Sequence, residues 1–229
     1  MVYQSIGSEP ERCSGLGLVP ILATGCYYVL PSPVQALTAV QFVPQLIAYL
    51  MLAVWIALNT HVPRRLGLQP HHFGLGLRWG IPTGLALGML NVSVILWIIP
   101  QLGGDIEFLR ETPHARMPVP MMLPWFIILI AVLVELNFRG FLLGRLLALF
   151  QRRRASIAPM LAIGASSLVF SCDPFMVATF RHLHWIAVWD GMVWGMLWLR
   201  LRNLYVPIIA HAVEVMVMYS VLKLLFEKA

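Results

Sequence analysis

The chain has 229 residues, of which 59% are hydrophobic and 11% charged; soluble domains carry about 25% charged residues, so this composition excludes a soluble globular protein and implies an integral membrane one. The formal net charge of +6 is dispersed over short turns between apolar runs, not gathered on one tail or face, and no nucleic-acid partner is expected. Cys13, Cys26 and Cys172 have neither CxxC nor metal-ligand spacing, which argues against a disulfide framework or zinc knuckle and leaves them as buried apolar fillers.

Residues 1–15 read as an N-terminal tail. Glu9 and Glu11 stand where a cleavable signal peptide carries basic residues, so no such peptide is expected. A short apolar run at 15–30, interrupted by Pro20, is the weakest candidate span. Stronger ones follow at 36–59, 80–100, 121–150, 156–172, 183–199 and 204–226, each near the length of about 17 to 25 residues that crosses a bilayer. The fold class is therefore all-α: a polytopic membrane bundle of about seven transmembrane helices, with six to eight allowed, in one domain over 16–229.

Between these runs, 61–79 is expected to be an interfacial turn or short helix with His71 and His72. The segment 101–120, with Pro113, Pro118 and Pro120, is the longest loop. Trp55, Trp79, Trp97, Trp125, Trp185 and Trp198 lie near predicted span ends and read as interfacial anchors. Gly80, Gly84 and Gly88 recur at intervals of four, and Gly191 and Gly195 repeat that spacing; such glycines let helices approach closely in lipid.

The turns between spans differ in charge. Arg64, Arg65 and Arg78, then Arg152, Arg153 and Arg154, then Arg200 and Arg202 occupy three turns without an acid, whereas Asp105, Glu107, Glu111 and Asp173 fall in the alternate ones with Arg110, Arg116 and Arg181. The positive-inside rule then puts the Arg-rich turns in the cytoplasm. With seven spans the N-terminus is inside and the C-terminus outside, in a membrane expected to be the inner membrane of a bacterium.

Polar residues within the spans are few: Glu135 with Arg139, Asp190, His211, Glu214, and the Asp173-Pro174 break. Unpaired charges at such depth cost several kcal/mol and tend to mark function. Glu135 and Arg139 are four apart, and His211 and Glu214 three apart, so each pair shares a helix face. Two readings remain open: a carboxylate and imidazole that activate water, or satisfied pairs that lock helices together. Proton or ion conduction along Glu135, Asp190, His211 and Glu214 is a third. His182, His184 and His211 have no fixed register as ligands, so no metal and no cofactor are expected.

Glu135, Phe138-Arg139-Gly140-Phe141-Leu142-Leu143 and the later block from Gly191 through Ala210-His211-Ala212 resemble the CAAX-protease and bacteriocin-processing (Abi) family of membrane proteins, over about 121–222. The family pattern is Glu-Glu-x-x-x-Arg-Gly, then Phe-x-x-x-His, then His-x-x-x-Asn. The resemblance implies that Glu135, Arg139 and His211 are remnants of the family's catalytic site and that Phe170 begins its middle motif. It also implies three vacated positions: Val134 for the first glutamate, Pro174 for the middle histidine and Val215 for the asparagine. Valine and proline side chains neither donate nor accept a proton. The expectation is a family fold with an emptied site, binding another transmembrane protein or lipid; the alternative is an intramembrane endopeptidase acting on prenylated or leader peptides, with Glu135 as base.

Overall fold

The computed structural model describes residues 11–152 and 155–226; Glu9, Arg153 and Arg154, which figured in the charge pattern, lie outside them. The described residues are helical and contain no strand. Backbone N–H and C=O groups in hydrocarbon have no water to bond, and a helix satisfies them internally. The principal helices are α1 (Leu18–Tyr28), α2 (Val43–Leu58), α3 (Phe73–Ser93), α4 (Met122–Gln151), α5 (Ala158–Ser171), α6 (Pro174–Phe180), α7 (Ile186–Leu201) and α8 (Tyr205–Phe226).

Among the described residues, four helices are long and apolar enough to cross a membrane: Thr38–Leu58, Val62–Gln101, Met122–Gln151 and Tyr205–Leu225. The pair Ala158–Ser171 and Pro174–Leu183, bent by 56°, makes a fifth if it is one span. The sequence count of seven also included 15–30 and 183–199. Both are helical, but α1 has 11 residues and α7 has 16, short of the ~20 that span 30 Å. The interfacial segment at 61–79 is shorter than expected: Val62–Leu66 forms a short helix, and α3 already begins at Phe73.

Two compact units alternate along the chain: Met1–Pro70 with Leu136–Leu204, and His71–Glu135 with Tyr205–Ala229. The first unit has a core of Leu52, Trp55, Leu66 and Phe141. Its α5 and α7 meet at Gly195, where a Cβ would lie 3.4 Å from Ile163. The charged side chain of Arg145 is buried here. It ion-pairs with Glu11, its guanidinium lies 3.8 Å from the Trp55 ring, and Trp55 Nε1 donates to the same carboxylate at 3.2 Å. A buried cation is tolerable only with such pairing, so Arg145 fixes the segment preceding α1.

Two expectations are corrected in this unit. Trp55 and Trp198 are 0% and 1% exposed and are core residues, not interfacial anchors. Each buries its ring because its indole N–H finds an acceptor: Glu11 for Trp55, the Leu66 carbonyl at 3.0 Å for Trp198. Trp79, Trp97 and Trp185 are exposed, as anchors should be; the side chain of Trp125 lies outside the described residues. Nor are the cysteines buried fillers, since Cys13 and Cys26 are exposed and Cys172 is half-buried.

In the second unit α3 and α8 run parallel, held by the expected glycine spacing extended by one at Gly76. A Cβ on Gly76 would lie 2.6 Å from Tyr205, one on Gly80 2.7 Å from Ile209, and one on Gly88 2.8 Å from Val217. Real Cβ contacts are never so short, so the axes of α3 and α8 approach as closely as they do only because these positions lack side chains. Away from this seam Tyr219 donates its hydroxyl to the Met117 carbonyl at 2.7 Å.

Candidate functional site

In the second unit the first half of α4 ends at Glu135. Its Oε1 lies 2.9 Å from His211 Nδ1 on α8. Glu135 is 0% exposed and His211 8%. An imidazole N–H donating to a carboxylate fixes both the tautomer and the ring orientation, and the contact gives each of two buried groups a polar partner. One turn further along α8, Glu214 Oε1 accepts a hydrogen bond of 2.8 Å from Asn91 Nδ2 on α3, both groups buried. Two polar pairs thus tie α8 to its neighbours, α4 through His211 and α3 through Glu214.

The sequence reading brought Glu135 and His211 together correctly and placed Glu214 on the same face of α8. It missed Asn91. The available signal was a lone carboxamide in an apolar stretch, since a side chain with two donors and an acceptor at that depth must meet a polar partner.

In the first unit the next turns of α4 widen into a π-helix over Leu136–Leu143. Such wide turns are uncommon and cluster at functional sites. Arg139, 1% exposed, holds its guanidinium 4.5 Å from the centre of the Phe170 ring and 4.9 Å from that of Trp194. The two neighbouring rings supply the cation with favourable quadrupole contacts. Gly191 makes room: a Cβ there would lie 2.9 Å from Arg139 Nη2 and 2.9 Å from Ser167 Oγ. Asp190 is buried beside it on α7. Phe170 packs on Phe138 (5.0 Å between centroids) and on the Arg139 head, contacts that its place in the motif does not specify. Trp194 was not anticipated.

The three positions that the family resemblance implies are vacated have distinct local structures. Val134 and Val215 are half-buried. Pro174 is buried at the start of α6, where its missing N–H and fixed φ are advantages. Asp173 is the cap. Its Oδ1 accepts from the backbone N–H groups of Phe175 (3.1 Å) and Met176 (3.2 Å), and its carboxylate also accepts from Gln45 Nε2 at 2.9 and 3.0 Å. Where an imidazole stands in the motif, this chain has a capped helix start. Asp173→Ala is expected to lower stability by about 1 to 2 kcal/mol, measured by thermal unfolding in detergent, with Asp173→Asn recovering most of the loss.

Chemically, a carboxylate and an imidazole 2.9 Å apart are able to exchange a proton. Hydrolysis needs more: a water held against the base, and donors aimed at the developing oxyanion. The side chains of Val134, Pro174 and Val215 neither donate nor accept a hydrogen bond.

The model of the Rce1-like family, described as type II CAAX prenyl endopeptidase Rce1-like, matches residues 116–217. No curated protein and no solved structure matches the chain.

Proposed function

From the premise that the chain belongs, through residues 116–217, to the CAAX-protease family of membrane proteins, we propose that it is a proteolytically silent member serving as a binding or structural subunit of a membrane complex. The observation that carries this reading is the fate of the middle histidine position: Pro174 opens a helix whose cap, Asp173, is fully engaged by Gln45 and two backbone amides. An imidazole there is replaced by a device that stabilises a turn. General acid–base groups contribute about 10²- to 10⁴-fold each, and three family positions now lack a titratable or hydrogen-bonding side chain.

The retained groups fit the same reading. Glu135 has no exposed surface and its Oε1 is engaged by His211, which suits a helix-to-helix tie better than a base that must touch water. Lipid-facing apolar surface is ample on α2, where Leu46, Leu50 and Val54 are exposed, and another transmembrane protein is the expected partner. The Arg-rich turns would face the cytoplasm of a bacterial inner membrane.

Extraction in mild detergent is expected to yield a stoichiometric complex with another membrane protein on size-exclusion chromatography and cross-linking. A lone monomer in every mild detergent, from cells that carry the native partners, would argue against the proposal.

A further inference from the structure

The two basic turns at 59–70 and 200–204 are far apart in sequence, yet hydrogen bonds in the first unit join them into one rim. Leu204 N–H donates to the Gly67 carbonyl at 2.9 Å, and Trp198 Nε1 donates to the Leu66 carbonyl at 3.0 Å. Gly67 has φ +82°, and a Cβ on it would lie 2.8 Å from the Arg202 carbonyl oxygen, so the junction requires glycine both for its left-handed backbone and for the close approach. Leu66, Asn203, Leu204 and Trp198 beneath it are buried. The segment before α1 comes alongside: Arg12 N–H donates to Asn59 Oδ1 at 2.9 Å, and Asn59 Nδ2 returns a bond to the Arg12 carbonyl at 3.2 Å.

This junction gathers Arg12, Arg64, Arg65, Arg200 and Arg202 at one end of the first unit. Arg12, Arg64 and Arg200 are exposed, and Arg65 and Arg202 half-buried. Arg65 is oriented by donation from its Nε to the Thr60 carbonyl at 2.9 Å, and Arg202 by its approach to the Trp198 ring at 5.3 Å. Neither turn contains an acid. Glu11, the acid next to Arg12, is already committed to Arg145 and Trp55. The rim is thus a concentration of guanidinium groups at the end of an apolar helix, and the ends of membrane helices are where lipid headgroups are met.

We propose that this rim is a binding site for the phosphate of an anionic lipid headgroup. A planar guanidinium offers paired N–H donors that match two phosphate oxygens, and it sheds its hydration more easily than an ammonium. Basic residues next to membrane helices each add to headgroup attraction, and arginines mounted on a fixed junction lose less rotamer freedom on binding than arginines on a loose loop. This inference goes beyond the proposed function and concerns a different face, so a protein with working protease chemistry would carry the same rim. The experiment below reads lipid, not proteolysis or complex formation, and the two readings fail separately.

The test uses the full chain in detergent, exchanged with mixed micelles of phosphatidylglycerol and phosphatidylcholine, with bound lipid counted by native mass spectrometry. Wild type should retain phosphatidylglycerol preferentially. The double variant Arg64→Gln/Arg200→Gln should retain it about 25-fold more weakly, at roughly fivefold per charge removed. Arg110→Gln, at an exposed Glu107 pair outside the rim, should retain it as wild type does, and serves as the control for net charge and folding. Equal loss in the Arg110 variant, or no loss in the double variant, overturns the proposal. Inorganic phosphate without anionic lipid is the second arm: no thermal stabilisation is expected from it at millimolar concentration, and stabilisation equal to that given by phosphatidylglycerol would overturn the assignment to a headgroup.

Discussion

His211→Leu is expected to cost about 3 to 5 kcal/mol of stability, because it leaves the Glu135 carboxylate buried without the donor 2.9 Å away. Glu135→Leu should cost less, about 1 to 3 kcal/mol, since it removes one hydrogen bond to a buried imidazole and leaves no buried carboxylate behind. The double variant Glu135→Leu/His211→Leu should recover most of the larger loss, as apolar side chains of similar volume often replace a buried polar pair at little cost. Chemical unfolding in detergent, read by tryptophan fluorescence and circular dichroism, checks all three. Additive losses in the double variant would show that the two residues do not act as a pair, and the account of His211 as a tie between α4 and α8 would fall with it.

The second large effect is expected at the seam between α3 and α8. Gly84→Val puts a Cβ against the Ala210 carbonyl and within 2.7 Å of the Val213 Cβ. Backbone cannot rotate away as a flexible side chain does, so the helices must separate, with a loss of about 3 kcal/mol or more. Gly164→Val on α5, where a Cβ meets nothing within 4 Å, is the matched control and should stay within about 0.5 kcal/mol of wild type. Similar melting temperatures for the two variants would show that the seam does not limit stability.

The parts of this molecule that a sequence shows well are those set by periodicity and by chemistry that is rare in its surroundings. Gly80, Gly84 and Gly88 announce a close approach by spacing alone, and Glu135 and His211 stand out because ionisable groups are scarce in apolar helices. Partners are harder to see. That Glu214 would meet Asn91 depends on the register of α3 against α8, which the sequence does not print. The Trp55 and Trp198 rings were misread for a related reason: position near a span end suits an interfacial anchor, but the acceptors that let these rings be buried, Glu11 and the Leu66 carbonyl, come from distant segments. Arg145 belongs to the same group, its counter-ion lying 134 residues earlier. Of the seven apolar runs that hydropathy registers, those at α1 and α7 form helices of 11 and 16 residues, so among the described residues length supports four or five spans and does not confirm seven.

Pro174 illustrates how local structure and function are linked at the candidate site. Read as a motif it is only a missing histidine. Read in the fold it begins α6, with Asp173 as cap and Gln45 of α2 as a side-chain donor to that cap. Pro174→His would therefore disturb a helix start that Asp173 caps.

The central claim is tested most directly by incubating the purified chain, and its Glu135→Gln variant, with a prenylated CAAX peptide and with a leader-peptide substrate, and quantifying products by mass spectrometry. Product at the level of a protein-free control from both proteins is the expected result. Cleavage by the wild type that disappears in Glu135→Gln would contradict it and establish Glu135 as a working base.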